Sequence, residues 1–507
     1  MTQKEAMEIL KMGYNVYLTG QPGSGKTFLL NQYIDFLKKH NIGVGVTAST
    51  GIAATHLNGI TIHSWSSIGI KDELSQKDLQ QLFKKRWLKK RFQNTKVLII
   101  DEISMLPAHY LDLVNQVIQE FKSNHFQPFG GIQVVLCGDF FQLPPVSRYG
   151  ESPPRFVNHS HVWNDMDLQI CYLTEQWRQT DQGYLKVLND IRANAVNGRT
   201  IELLQKRYQA EIDGDIELIK LYTHNVDVDT ENERELAEIQ EKPYHFIMKN
   251  KGPHPLIGFL KQSCLALEEL VLKLNAPVLF IKNNFNEGYV NGTLGKVVDF
   301  EQGRPVVETT DGEQIVVAPE QWSIEEDGEV KAKIIQLPLR LAWSITVHKS
   351  QGMNLDAAEI DLSKCFEPGM GYVALSRVRS LLGIRLMGLN NMALQINKEA
   401  LDLDQQLQTL SKQVIKELYT MSFEQRLQKQ KEFLGSLGIK VKAKAYSIVQ
   451  IRKTHPFAYQ KWTTQEEQRL INLYKTGKTI KEISHILQRQ PGGIRSRLEK
   501  LKERGCI

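Results

Sequence analysis

Residues Gly20 to Thr27 read GQPGSGKT and fill the pattern G-x-x-x-x-G-K-[ST]. The run Val16-Tyr17-Leu18 before them has the character of a buried strand, and FLLNQYIDFLKKH after them has helical spacing. Strand, glycine loop and helix in that order make the phosphate-binding corner of a parallel α/β sheet. Glycine lets successive backbone N–H groups turn toward one anion, and the helix start adds its positive dipole end. Gly20, Gln21, Pro22, Gly23, Ser24 and Gly25 are therefore expected to cradle the phosphates of a nucleoside triphosphate. Lys26 is placed to reach the β- and γ-phosphates, and the Thr27 hydroxyl to hold Mg²⁺. A plain glycine-rich turn is the alternative, and the flanking pattern argues against it.

From residue 15 to about 145, strand-like runs (NVYLT, GVGVTAS, KVLII, IQVVLCG) alternate with helical ones. Such alternation predicts a parallel sheet covered on both faces. The stretch from Trp65 to Asn94 breaks the order; it is basic (KKRWLKKR, 84–91) and reads as an insertion of about 66–95. A second α/β region begins after about 175, with strands expected in ELIKLYTHN, APVLFIKN and LRLAWSITVH. Within it, 293–335 turns into short β patterns with a two-residue hairpin turn at Asp311-Gly312, which predicts a small inserted β-barrel. Residues 401–458 read as a linker, helical first and then basic and irregular.

Charge is unevenly placed. Residues 439–507 hold 16 Lys/Arg against 5 Asp/Glu, while the rest of the chain holds 47 against 52. A basic tail on a slightly acidic body points to a polyanion partner for the tail, solvated surface lysines being the alternative. Within 459–507, Thr463-x-x-Glu466 and Thr479-x-x-Glu482 are capping boxes that each open a helix. A third helix follows Pro491-Gly492 and carries Arg495 and Arg497, so the tail is expected to be a helix-turn-helix. The five cysteines form no C-x-x-C pair, so neither a zinc site nor an iron–sulfur cluster is expected. No apolar run is long enough to span a membrane, and no signal or transit segment is expected at the N-terminus; a reducing cytoplasm fits best.

The strand KVLII runs into Asp101-Glu102. A carboxylate at a parallel strand end beside a phosphate loop suits a metal-ordering group, Asp101, followed by a base for the attacking water, Glu102. GDFFQLPPV (138–146) ends the next strand, and Gln142 is an amide able to touch both the γ-phosphate and that water.

With DEISM, FGGIQVVLCGDFFQLPPV, TEQWRQ, ITVHKSQGMNLD and GYVALSRVRS following GQPGSGKT in this order, residues 1–400 resemble the petite-integration-frequency family of superfamily-one DNA helicases. The resemblance implies an α/β fold with two RecA-like parallel-sheet domains, 1–175 and 176–292 plus 336–400. It also implies a wedge at 66–95 and an SH3-like β-barrel at 293–335. The tail resembles a Myb-like helix-turn-helix able to bind duplex DNA or protein.

By the same resemblance, Arg178 and Arg377 reach the γ-phosphate and work in catalysis with Lys26, Glu102 and Gln142. Gln3 reads adenine. Thr50, His63 and Pro144 touch single-stranded DNA, as do Thr346 and His348, while Gln351 and Gly352 join that segment to the nucleotide. Lys84, Lys85, Arg86, Lys89, Lys90 and Arg91 track phosphates, with a solvated helix face as the alternative. Arg495 and Arg497 contact duplex. ATP and Mg²⁺ are implied as cofactors, single-stranded, forked or duplex DNA as partners, and 5′-to-3′ movement as the direction. Work in repair, recombination or genome maintenance follows, in the cytoplasm, with nucleoid association if the source is bacterial. A regulator that binds DNA through its tail and uses ATP as a switch is the competing class. A faint nuclease echo at Pro319-Glu320 and Glu329-x-Lys331 lacks a supporting acidic cluster.

Overall fold

The structure is a computed structural model, and it describes residues 1–503 except 70, 146–154, 180, 213–217, 265, 283, 285, 286, 290–292, 311, 327, 328, 440–453 and 461. Val146, Asp311, the basic stretch 440–453 and Cys506 lie outside the described residues, as does the Glu329 side chain. Two compact units are present, Met1–Ile439 and Lys440–Ile507.

The first unit opens on a six-stranded sheet: β1 Val16–Gly20, β2 Val44–Ala48, β3 Ile60–Thr61, β4 Val97–Asp101, β5 Gln133–Cys137 and β6 Gln169–Leu173. All pairings are parallel, in the order β3-β2-β4-β5-β1-β6. Alternate residues serve opposite faces. Val16, Leu18, Val97, Ile99 and Val135 pack under the helix Lys26–Lys39, while Tyr17, Leu98, Ile100, Val134 and Leu136 join the other core. Burial on both faces explains why these strands are continuously apolar.

The insertion forms two helices, Gln76–Phe83 and Arg86–Asn94. Leu88 and Phe92 are buried, with the Phe92 ring against Trp65 and Phe121. Lys84, Arg86, Lys89 and Lys90 are exposed. Arg91 differs from them: its Nη1 donates to the Trp65 carbonyl at 2.7 Å and its guanidinium lies over the Trp87 ring. That arginine pins the insertion to its own domain.

A second parallel sheet has the order Ser344–Thr346, Ile219–Tyr222, Ala358–Leu362, Ile384–Leu389. The strand Pro277–Phe280 is absent from it. It pairs antiparallel with Leu294–Glu301 and Leu339–Leu341 in a five-stranded sheet completed by Arg304–Thr309 and Gln314–Val316. LRLAWSITVH therefore divides, its first half in the antiparallel sheet and its second half in the parallel one. The antiparallel module is wider than the 293–335 expected. A fully apolar strand such as PVLF suits a small closed core as well as a parallel sheet, so composition could not assign it.

The segment expected to be a linker, helical first, does begin as helix, but that helix packs. Lys398–Thr420 and Phe423–Ser436 are helices. Leu418 and Leu434 are buried in the core formed by Leu10, Leu29 and Leu37, and the Ser411 hydroxyl accepts from Tyr172 N–H at 3.1 Å. The stripe Leu407, Ser411, Val414, Leu418 has the spacing of a packed helix face, and that signal outranks the surrounding polarity.

The second unit holds Thr464–Lys475, Ile480–Leu487 and Pro491–Glu503 around Leu470, Ile483, Leu487, Ile494 and Leu498. Both capping boxes form. Arg489, unremarked in the sequence, is buried: it donates to the Glu466 carboxylate at 3.1 Å and lies 4.2 Å over the Trp462 ring. Of the two arginines assigned to duplex contact, Arg497 pairs with Glu467 and Arg495 is exposed.

Candidate active site

β1 ends at Gly20, and the loop that follows bends through Gly23 (φ +85°) and Gly25 (φ +84°). A Cβ on Gly23 would lie 2.3 Å from Gln176 Oε1 and 2.6 Å from Arg178 Cβ; on Gly25 it would lie 2.0 Å from Gln3 Nε2. Side chains crowd the loop from outside, so its backbone is held in a conformation that only glycine adopts without cost. Gly23→Ala is expected to weaken nucleotide binding by about tenfold or more, since left-handed backbone alone costs a side chain about 1–2 kcal/mol. Titration with a fluorescent ATP analogue measures it, and unchanged affinity would mean the loop relaxes freely.

Lys26 Nζ donates to the Gly20 carbonyl at 2.7 Å and the Gln21 carbonyl at 3.2 Å, so the amine folds over the loop. Ser24 Oγ is buried without a partner, and Thr27 is exposed where the helix begins. Gln3 starts the first helix, which Thr2 caps, and its Nε2 donates to the Ser24 carbonyl at 3.3 Å. The N-terminal segment is thereby seated on the loop.

Asp101 ends β4 and is buried; one of its oxygens accepts the Glu102 N–H at 2.8 Å. Glu102 has φ +50°, and its Oε2 is buried without a partner. Burial, reinforced by the Asp101 charge, pushes its carboxyl up to about 7, while Lys26 and Arg377 pull the other way. A carboxyl poised there suits a general base at neutral pH.

The opposite wall comes from the segment TEQWRQ and the second sheet. Gln176 Nε2 donates to the Pro22 carbonyl at 3.0 Å, whereas Arg178 Nη1 and Gln179 Nε2 both donate to the Ser376 carbonyl at 3.1 Å. Arg377 is 2 % exposed and donates to Val373 O and Ser376 Oγ. Burial and the neighbouring Arg377 push Arg178 down to about 9; burial lowers Arg377 too. Two adjacent buried cations favour a polyanion between them and the loop. The cleft measures about 360 Å³ and is lined by Lys26, Thr27, Asp101, Glu102, Gln351, Gly352 and both arginines. Gln142 sits behind it, its Oε1 accepting from Gln351 Nε2 at 3.3 Å. Trp177, which sequence reasoning passed over, lines the mouth with 67 % of its surface exposed. Its place at the mouth and its exposure come from the fold alone, because TEQWRQ and the loop are far apart in the sequence.

A buried network was also missed. The Arg192 guanidinium, 5 % exposed, donates to both Asp139 oxygens (3.0 and 2.8 Å), to Asp404 at 3.0 Å and to the Tyr372 and Tyr172 hydroxyls. It also stacks on Phe141 at 3.9 Å. Asp139 and Phe141 belong to the Gln142 loop, Tyr372 to the helix before Arg377, and Asp404 to the helix taken for a linker. Nothing in the sequence joins these positions, which lie 53 and 212 residues apart.

The residues assigned to strand contact are mixed. Thr50 Oγ1 accepts the Ala53 N–H. His63 lies 4.3 Å from the Tyr110 ring, and burial pushes it down to about 4, so it is neutral. Pro144 is half-buried. Thr346 is 3 % exposed and its hydroxyl accepts the Lys349 N–H, so it shapes the turn from inside. His348 is half-buried beside Phe366.

Comparison with known proteins places this geometry. A model of the family described as PIF1-like helicase matches residues 2–194, and one described as DNA helicase Pif1, 2B domain, matches 256–300. The ATP-dependent DNA helicase Pif1 of Psychrobacter is 45 % identical over 472 residues, covering 81 % of this chain and 71 % of that protein. Human ATP-dependent DNA helicase PIF1 is 36 % identical, covering 79 % of this chain and 62 % of that one. The crystal structure of Pif1 helicase from Candida albicans matches with a TM-score of 0.72 and 33 % identity over 80 % of this chain and 98 % of that one. The Bacteroides Pif1 helicase in complex with ADP-AlF3 and ssDNA matches with a TM-score of 0.62 and 31 % identity over 80 % and 96 %.

Proposed function

The chain belongs to the PIF1-like helicase family, and on that premise we propose how its cleft drives strand separation. It is an ATP-dependent DNA helicase acting on single-stranded and forked DNA. ATP lies between the loop Gly20–Thr27 and the opposite wall. The loop N–H groups and Lys26 hold its phosphates, Gln3 reads the base edge, and Trp177 offers the base a π face. The donor set suits Mg²⁺: the Thr27 hydroxyl and Asp101 carboxylate line the same cleft. Mg²⁺ supplies neutralisation of phosphate charge when bound. Glu102 takes the proton of the attacking water, Gln142 orients that water, and Arg178 and Arg377 stabilise charge on the transferred phosphoryl group.

Closure of the wall carrying Arg377 onto the loop changes the spacing of the two sheets, which moves the strand held near Thr50, His63, Pro144 and His348. The observation that carries this reading is convergence. Carboxylates from the first sheet and a guanidinium from the second share one cleft of about 360 Å³. Movement is 5′ to 3′, the protein works in the cytoplasm (on the nucleoid if its source is bacterial), and the tail anchors duplex through Arg495.

ATPase with and without single-stranded DNA, and strand separation on duplexes bearing a 5′ or a 3′ tail, test the proposal. Stimulation by single strand and separation of the 5′-tailed duplex alone are expected. Separation of the 3′-tailed duplex would reverse the direction, and ATPase indifferent to DNA would favour a regulator acting through its tail.

A further inference from the structure

Three loops leave adjacent strands of the second parallel sheet at their C-terminal ends. Thr223-His224 follows Ile219–Tyr222, Val347-His348 follows Ser344–Thr346, and Ser363 to Phe366 follows Ala358–Leu362. In an open α/β sheet that edge is where ligands bind. Each loop brings one ring to the same place. The Phe366 ring centroid lies 5.0 Å from that of His224 and 6.5 Å from that of His348, the latter pair at an interplanar angle of 17°. Phe366 is 53 % exposed, and His224 is exposed beside it.

That exposure is built in. Asn390 Nδ2 donates to the Ser363 and Cys365 carbonyls at 3.1 and 2.8 Å, and the Cys365 side chain is buried. The Thr223 hydroxyl bonds His224 Nδ1 at 2.8 Å and donates to the Lys364 carbonyl. The loop is held at both flanks with its phenylalanine facing out. Burial, helped by His224, pushes His348 below its usual range, so a neutral ring stands behind Phe366.

We propose that Phe366, flanked by His224 and His348, is a stacking platform for one unpaired base of the translocating strand; this rests on the helicase reading above. A motor that moves along any sequence needs a grip common to all bases, and a π face provides it where hydrogen-bond readout does not. The platform is continuous with the nucleotide cleft. His348 lies three residues before Gln351, which bonds Gln142, and the Phe366 loop leads into Met370–Leu375, the helix ahead of Arg377. Cleft closure thus displaces the base together with the strand.

Equilibrium binding of a labelled single-stranded oligonucleotide to the full chain tests this, measured across a salt series with normal and fully abasic strands. Phe366→Ala is expected to weaken binding of the normal strand by about tenfold or more, with the slope of log affinity against log salt unchanged because no phosphate contact is removed. Phe366→Trp is expected to keep the affinity, and parent and Phe366→Ala to bind the abasic strand alike. Equal affinity of parent and Phe366→Ala for the normal strand overturns the platform, as does an equal loss on the abasic strand. Should Phe366→Ala unfold early, Phe366→Leu, which keeps apolar bulk without the π face, is read in its place. Failure of the parent itself to bind single strand would instead sink the helicase reading.

Discussion

Glu102→Gln is expected to lower DNA-stimulated ATP turnover by about 10²- to 10⁴-fold, the usual weight of a positioned general base, while ATP still binds. The amide keeps the shape of the carboxyl and leaves the loop untouched, so the loss falls on turnover. The carboxyl stands at about 7 in the free protein because burial and Asp101 both oppose its charge. The basic form is therefore gained as pH rises. The value of kcat/KM for ATP in the parent is expected to climb with pH up to about 7 and then level off, and the glutamine variant to lack that limb. The same shift bears on stability. Between the ordinary value of 4.5 and about 7, the folded state keeps a proton that the unfolded state releases. Stability then falls as pH rises through that window, and Glu102→Gln is expected to flatten the fall. Steady-state ATPase and urea midpoints across pH measure both effects. A glutamine variant that keeps the acid limb would assign the limb to another group.

Arg192→Met is expected to cost about 3–5 kcal/mol of stability, because removing one partner of a buried ionic group strands the others. Asp139, 1 % exposed, and Asp404, 9 % exposed, would both lose the guanidinium they share, and the Tyr172 and Tyr372 hydroxyls would lose the donor they accept from. Combining Arg192→Met with Asp139→Asn and Asp404→Asn is expected to recover part of the loss, since no unpaired charge then remains. A shift in urea midpoint reads the first effect and the triple variant the second. A single variant as stable as the parent would mean that the carboxylates reach water or take up protons. Asp139 also accepts the Phe141 N–H at 3.2 Å, next to Gln142. The single variant should therefore lower ATP turnover more than ATP affinity.

The two predictions differ in how early their residues could be found. Glu102 was legible because strand, carboxylate pair and phosphate loop are each local patterns, and chemistry demands that they meet. Arg192 was invisible, since a helical Arg reads as a surface residue until its partners are brought in from 53 and 212 residues away. Arg91, Arg497 and Thr346 show the opposite side of the same limit. Each fits a contact role by type, yet each is turned toward its own fold by a neighbour that the linear chain does not display. Residues 401–458 were read as a linker, helical first and then basic, although a stripe from Leu407 to Leu418 marked a packed face.

What the chain determined by itself was local: the phosphate loop, the alternation that makes β1, β2, β4 and β5 strands of a parallel sheet, and the two capping boxes of the tail. These depend on hydrogen-bond geometry and hydrophobic period over a few residues, and both are written in consecutive letters. The tertiary structure alone decided which sheet received Pro277–Phe280, which arginines face inward, how Asp404 closes the network around Arg192, and that Phe366 is held outward beside two histidines. Burial and charge pairing act between residues far apart in sequence, so their outcome exists only once the chain has folded.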